Sequence, residues 1–182
     1  KLLENSFRLV NISFINEISI FCQKMGIEIN EVIEAASTKP YGFMPFYPSV
    51  GIGGHCIPVD PLYLSAKAHE INAPTRFIDL ADQVNREMPS YFAHRAEEII
   101  GSLEGKKLIV VGISYKPNVA DTRETPVEDL IIELRAKGSN VVWHDDLVKN
   151  WKGEKSSKLD ESYDLAIVAT PHDYINLDLV GK

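Results

Sequence analysis

The residues best suited to chemistry lie in one stretch, Gly51-Ile52-Gly53-Gly54-His55-Cys56-Ile57-Pro58-Val59-Asp60-Pro61. Glycines leave the backbone bare and free to adopt positive φ, so a ligand can approach it closely. One thiol, Cys56, follows them, and one carboxylate, Asp60, comes a turn later. Pro58 and Pro61 stiffen the exit by fixing φ and removing two backbone donors. A flexible approach, a single nucleophile and a rigid exit suit a reactive cysteine. The same residues also describe a Gly-rich turn around a small buried thiol, the usual setting of a free cysteine.

A second cluster is Ser114-Tyr115-Lys116-Pro117-Asn118-Val119-Ala120-Asp121-Thr122-Arg123-Glu124-Thr125-Pro126. Lys116 and Arg123 supply two positive charges. Thr125 is expected to cap a helix begun by Pro126, and helix N-termini and Arg forks suit phosphate. The alternative is a surface pair of Arg123 with Asp121 or Glu124. A third feature is a polar stripe, Lys1, Asn5, Arg8 and Asn11, at helical spacing in an otherwise apolar segment. It is either a solvated face or a ligand-facing one, since a buried polar stripe is costly unless paired.

The elements that must position these groups follow from periodicity. Residues 1–25 read as one helix without Gly or Pro, apolar on more than one face, as in a buried helix or one packed against a partner chain. Gly26 ends it, and Asn30 is expected to cap a short helix over 31–37. Tyr41, Phe43, Phe46 and Tyr47, punctuated by Pro40, Pro45 and Pro48, form a loop suited to wall a pocket or an interface. Asp60 reads as the N-cap of the next helix with Pro61 at its first position. Cys56 would then sit just before a helix N-terminus, whose dipole favours a thiolate. Two helices are expected over 75–88 and 89–103, broken at Met88-Pro89.

From residue 105 the pattern changes. Lys107-Leu-Ile-Val-Val-Gly112 is a continuous apolar run, as in a buried parallel strand. An amphipathic helix over 126–137, closed by Gly138, and strands over 140–144 and 165–169 complete a βαβ pattern. The polar stretch 149–162 reads as a loop. The expected architecture is therefore α/β: an all-helical domain over 1–104 and a Rossmann-like domain over 105–182.

The 182 residues carry 19 basic against 26 acidic side chains, a net charge of −7, which argues against a nucleic-acid or anionic-membrane partner. No apolar run is long enough to span a bilayer and no signal peptide opens the chain. Cys22 and Cys56 make no disulfide framework, so a reducing cytoplasm is the expected setting. His55 and Cys56 lack the spacing of a zinc site, and no metal is expected.

Taken together, Lys1-x-x-x-Asn5, the G-x-G-G-H-C-x-P-x-D stretch, and Lys116 with Asp121-Thr122-Arg123-Glu124 resemble the UDP-glucose/GDP-mannose dehydrogenase family. Thr38 to Pro48 and His55 look more like its UDP-N-acetylhexosamine branch than its UDP-glucose branch. The resemblance implies oxidation of a nucleotide sugar's primary alcohol to a carboxylate with two NAD+. Cys56 matches the cysteine that captures the aldehyde as a thiohemiacetal, from which a thioester forms and is hydrolysed. Lys1 and Asn5 match residues that stabilise the reacting oxygen and position it or its water, and Asp60 matches an aspartate assisting proton transfer. Lys116 matches a nucleotide-sugar contact and Arg123 a contact to the NAD pyrophosphate. Gly53, Phe46 and Tyr47 match the sugar-nucleotide region, and the first helix matches the family's dimer interface.

The sequence has no G-x-G-x-x-G, which the family carries in an N-terminal domain together with a glutamate serving hydrolysis. Val59 stands where many UDP-glucose members have a lysine near the cofactor. The expectation is thus an excised piece of a UDP-N-acetylhexosamine 6-dehydrogenase, inactive alone, with NAD bound mainly by the missing domain. The alternatives are a dimerisation and nucleotide-sugar-binding module without activity, or a parent acting on UDP-glucose.

Overall fold

The computed structural model describes residues 1–160 and 162–176. They divide into two compact units, residues 1–52 with 56–88, and residues 53–55 with 89 onward.

The first unit is helical. Helix α1 (Leu2–Lys24) runs without Gly or Pro and stops where expected. Gly26, at φ 70°, takes the left-handed position after the C-cap. Its N–H bonds the Gln23 carbonyl at 3.1 Å and the Ile27 N–H bonds the Cys22 carbonyl at 2.9 Å, a Schellman closure. Helices α2 (Ile29–Ser37), α3 (Asp60–Glu70) and the first part of α4 (Arg76–Ile100) complete the unit. Leu9, Ile52, Ile78 and Ala81 form its core, with Val10, Ile12, Ile57 and Leu64 packed around them.

Three local expectations fail here. Glu28, not Asn30, holds the N-cap position of α2, so Asn30 lies within the helix. Val59, not Asp60, holds that of α3, and Asp60 is already helical. Its carboxylate is taken by a tertiary partner, Asn5, instead of by its own backbone. Finally, α4 does not break at Met88-Pro89 but continues through Pro89. A mid-helix proline costs about 3 kcal/mol through one lost hydrogen bond and a ring clash. Burial of Met88 just before it, and of Ala93 and Ala96 after it, outweighs that penalty.

The second unit is a Rossmann-like α/β fold. Strand β1 (Lys107–Val111) pairs in parallel with β2 (Asn140–His144) on one side. On its other side it pairs in parallel with the last strand, Leu165–Val168. Central in the order, Leu108–Val111 are wholly buried, which explains their unbroken apolar run. Helix α5 (Val127–Ala136) contributes Val127, Leu130, Ile131 and Leu134 to the core. It closes as α1 does: Gly138, at φ 85°, bonds the Arg135 carbonyl at 3.0 Å, and Ser139 N–H bonds that of Leu134 at 3.4 Å. The stretch read as a loop over 149–162 holds a small hairpin, β3 (Asn150–Trp151) with β4 (Glu154–Lys155), turned through Lys152 and Gly153, both at positive φ. The sheet's last strand is accordingly β5 (Leu165–Val168).

The carboxyl edge of this sheet is tightly made. Gly112 leaves β1 at φ 79°, and a Cβ there would stand 2.1 Å from the Thr170 carbonyl oxygen, so only glycine lets the chain after β5 approach. Thr170 in turn donates its hydroxyl to the Ser114 carbonyl at 2.7 Å.

Candidate active site and nucleotide loop

In the first unit, Cys56 is a free, half-buried thiol in a turn. Its carbonyl accepts the amide of Asp60 at 2.8 Å and that of Val59 at 3.4 Å, so the thiol stands a full turn ahead of α3 rather than at its first residue. Asp60 Oδ2 accepts a hydrogen bond from Asn5 Nδ2 at 2.7 Å. Three of the four residues expected to be catalytic are therefore joined by two hydrogen bonds, across segments far apart in sequence. Lys1 lies one helical turn before Asn5 and is exposed. In the same stripe Arg8 is exposed, and Asn11 donates to the Phe7 carbonyl at 2.7 Å.

The chain enters this turn under the control of two residues that periodicity passes over. Asn16 is completely buried on α1, and its Oδ1 accepts the Ser49 amide at 2.8 Å. Asn85 Oδ1, buried on α4, accepts the Ile52 amide at 2.6 Å. Each supplies an acceptor that a loop cannot supply for itself. The only signal of this in the sequence is an amide on an otherwise apolar face.

Phe46 packs edge-on against Phe7, with ring centroids 5.9 Å apart. With Phe7, Asn11, Phe14 and Phe43 it lines a hollow of about 510 Å³ between the aromatic loop and α1. Tyr47 is exposed. The aromatic loop thus walls a concavity, as its composition suggests.

In the second unit lie Gly53, Lys116 and Arg123. Glycine at 53 is required by the chain itself: a Cβ there would meet the Glu124 carbonyl oxygen at 2.6 Å and Tyr115 Cβ at 2.7 Å. Gly54, at φ 93°, donates its N–H to the Arg123 carbonyl at 3.0 Å. The bare backbone that sequence reasoning offers to a ligand is here occupied by the 115–124 loop. Lys116 is exposed, its Nζ 5.5 Å from the Tyr115 ring centroid, a cation–π distance.

Arg123 makes the surface pair that stood as the alternative to a phosphate contact. Its Nε and Nη2 fork onto Asp121, with Nη2 to Oδ2 at 2.6 Å. Those bonds, helped by the Arg123 amide, hold the Asp121 carboxyl down at about 2. Thr125 Oγ1 accepts the Val127 amide at 3.4 Å, with Pro126 rather than Thr125 in the N-cap position of α5.

For a dinucleotide the described residues offer little. Gly51–Gly54 follow no strand, and the one cation expected to reach a pyrophosphate is committed to Asp121. No three His, Cys, Asp or Glu side chains among the described residues are grouped to hold a metal ion. No helix among them is long and apolar enough to cross a membrane.

The chain is 35% identical to protein CapL of Staphylococcus aureus, over 97% of its own length and 46% of that protein's. It is 34% identical to the UDP-N-acetyl-D-mannosamine dehydrogenase of Campylobacter jejuni, over 78% of this chain and 34% of that one. The solved UDP-D-ManNAc dehydrogenase of Pyrococcus horikoshii superposes with a TM-score of 0.84 at 31% identity, covering 98% of this chain and 43% of that chain. The chain spans less than half the length of each of these relatives. Residues 1–87 match the central domain of the UDP-glucose/GDP-mannose dehydrogenase family, and residues 109–179 match that family's UDP binding domain. The chain belongs to the UDP-glucose/GDP-mannose dehydrogenase family and is most like its UDP-N-acetylhexosamine 6-dehydrogenase branch.

Proposed function

We propose that the chain is the substrate-holding and nucleophile-bearing part of an NAD-dependent UDP-N-acetylhexosamine 6-dehydrogenase of the cytoplasm. UDP-N-acetylmannosamine and UDP-N-acetylglucosamine are the candidate substrates, and a uronic acid for polysaccharide is the product. The observation that carries this reading is the bonded series Asn5–Asp60–Cys56: the Asn5 amide holds the Asp60 carboxylate, and the Asp60 backbone N–H closes the turn on the Cys56 carbonyl.

In this reading Cys56 Sγ attacks the aldehyde carbon and the thiol proton passes to the aldehyde oxygen. The resulting thiohemiacetal keeps a reactive intermediate from leaving between the two oxidations. Asp60, oriented by Asn5, carries protons to and from the reacting oxygen or its water. In the first unit Lys1 supplies positive charge to that oxygen and Phe46 and Tyr47 border the sugar nucleotide. In the second unit Lys116 meets the nucleotide's phosphates, and Gly53 serves it indirectly by letting the 115–124 loop pack close. Arg123 serves the cofactor only after exchanging Asp121 for a phosphate. The match of residues 1–87 and 109–179 to the family's central and UDP binding domains, over less than half the length of the relatives, supports a chain that is inactive by itself.

The test is NADH formation by the protein at its full natural length with UDP-N-acetylmannosamine, UDP-N-acetylglucosamine and UDP-glucose. Two NADH per sugar with one of the N-acetylhexosamines is expected. Preference for UDP-glucose would move the protein to the other branch, and no NADH with any of the three would refute the reading.

Self-association through α1 belongs to the same proposal. Leu3, Phe7, Phe14, Phe21 and Met25 recur at spacings of a helical stripe and are 80%, 47%, 59%, 59% and 62% exposed. A symmetric partner would bury this row. Sedimentation velocity at micromolar concentration is expected to show a dimer; a monomer would count against it.

A further inference from the structure

We propose that His172 is a positioning residue for the nucleotide loop, holding the Ser114–Glu124 segment through Asn118 so that Lys116 is presented to the UDP moiety. The proposal rests on the reading of that loop as the nucleotide-sugar site and assigns the group that orients it.

The His172 side chain is fully buried, as is that of Asp145 at the carboxyl end of β2. His172 Nδ1 lies 2.8 Å from the Asn118 amide nitrogen. A backbone N–H can only donate, so Nδ1 is the unprotonated nitrogen and Nε2 carries the proton. That proton is donated to Asp145 Oδ2 at 3.1 Å.

Asp145 is itself fixed on every side. Oδ2 also accepts from the Ile113 amide at 3.0 Å and the Ser114 hydroxyl at 3.3 Å, and Oδ1 accepts the amides of Leu147 and Val148 at 2.9 and 3.0 Å. The ring of Tyr174 stacks on His172 with centroids 5.2 Å apart. The imidazole therefore has one orientation, set by the sheet and delivered to the loop.

Asn118 needs such a hold. It sits at φ 64°, in the left-handed region, two residues beyond Lys116. Its side chain is clamped as well, Nδ2 donating to Asp173 Oδ2 at 2.8 Å and Oδ1 accepting the Asp173 amide at 3.1 Å. The series Asp145–His172–Asn118 thus runs along the carboxyl edge of a parallel sheet, where ligands of such sheets bind. It ends on the ligand loop rather than in the core. A buried histidine between a carboxylate and a loop amide is a costly way to fill space and an effective way to fix a backbone.

Two variants separate the two halves of the imidazole's work. His172→Asn keeps an acceptor where Nδ1 stands and loses the bond to Asp145. His172→Gln keeps a donor for Asp145 and leaves the Asn118 amide unpaired. UDP binding by calorimetry is expected to stay within about threefold of wild type for His172→Asn and to weaken about tenfold for His172→Gln. Nitrogen-15 spectra of the wild type should show Nδ1 unprotonated and scalar-coupled to the Asn118 amide, whether or not either variant folds. Equal UDP affinity in all three proteins, equal weakening in both variants, or a protonated Nδ1 would overturn the proposal. Should wild type fail to bind UDP, the nucleotide reading itself falls, and the Asn118 coupling alone then decides whether His172 holds the loop.

Discussion

Replacing Cys56 by serine is expected to lower NADH formation by the full-length protein at least about 10³-fold, the scale on which loss of a covalent nucleophile acts. Serine nearly matches the thiol in shape but is a far poorer nucleophile near neutral pH, so the aldehyde-level carbon is no longer captured. The turn should survive, because what shapes it is the Cys56 carbonyl, bonded to the Asp60 and Val59 amides, and not the side chain. UDP affinity and melting temperature are therefore expected to match the wild type within error. Retention of even a tenth of the wild-type rate would mean that the oxidation does not pass through Cys56.

The largest expected loss of stability lies in the other unit, at Asp145. Asp145→Ala removes the acceptor for three amides, one hydroxyl and the His172 ring at a position with no solvent access. Stranding several buried donors at once destabilises by about 3–5 kcal/mol. For a chain of this size that lowers the melting temperature by roughly 6–20 °C. Burial pushes the Asp145 carboxyl up, but the N–H donors of Ile113, Val148, Leu147 and His172 outweigh it and hold it below the ordinary carboxylate value. A depressed folded-state value means the stabilisation is fully present well above the unfolded value of about 4 and is lost progressively as pH falls from there through the lowered value. Urea melts at pH 7 and at lower pH check both statements. A loss under about 1 kcal/mol at pH 7 would show that the network is dispensable.

The features legible in the sequence are those that local chemistry decides. Gly26 and Gly138 end their helices because only glycine enters the left-handed position cheaply, and that requirement does not depend on the rest of the fold. Leu108–Val111 read as a parallel strand because burial on both faces leaves no polar alternation. The cysteine stretch stands out as a candidate site because its residue types are an unusual combination.

What was not legible is what distant residues decide. Asp60 has every local mark of an N-cap, yet Asn5, from another helix, claims its carboxylate. Pro89 carries a strong break signal, overridden by the burial of Met88 and Ala93 around it. Asn16, Asn85 and His172 each serve a backbone amide far along the chain, a role that spacing cannot reveal. Arg123 illustrates the opposite case. A partner two residues away was visible in the sequence, and the local pair is the one formed.

The most direct test of the central claim is covalent. The full-length protein should be mixed with a UDP-N-acetylhexosamine and NAD+, quenched during turnover, and the peptide containing Cys56 weighed by mass spectrometry. The expected result is a sugar-nucleotide mass on Cys56, absent from Cys56→Ser and from enzyme without NAD+. Turnover with no adduct on Cys56, or with the mass on another residue, would contradict it.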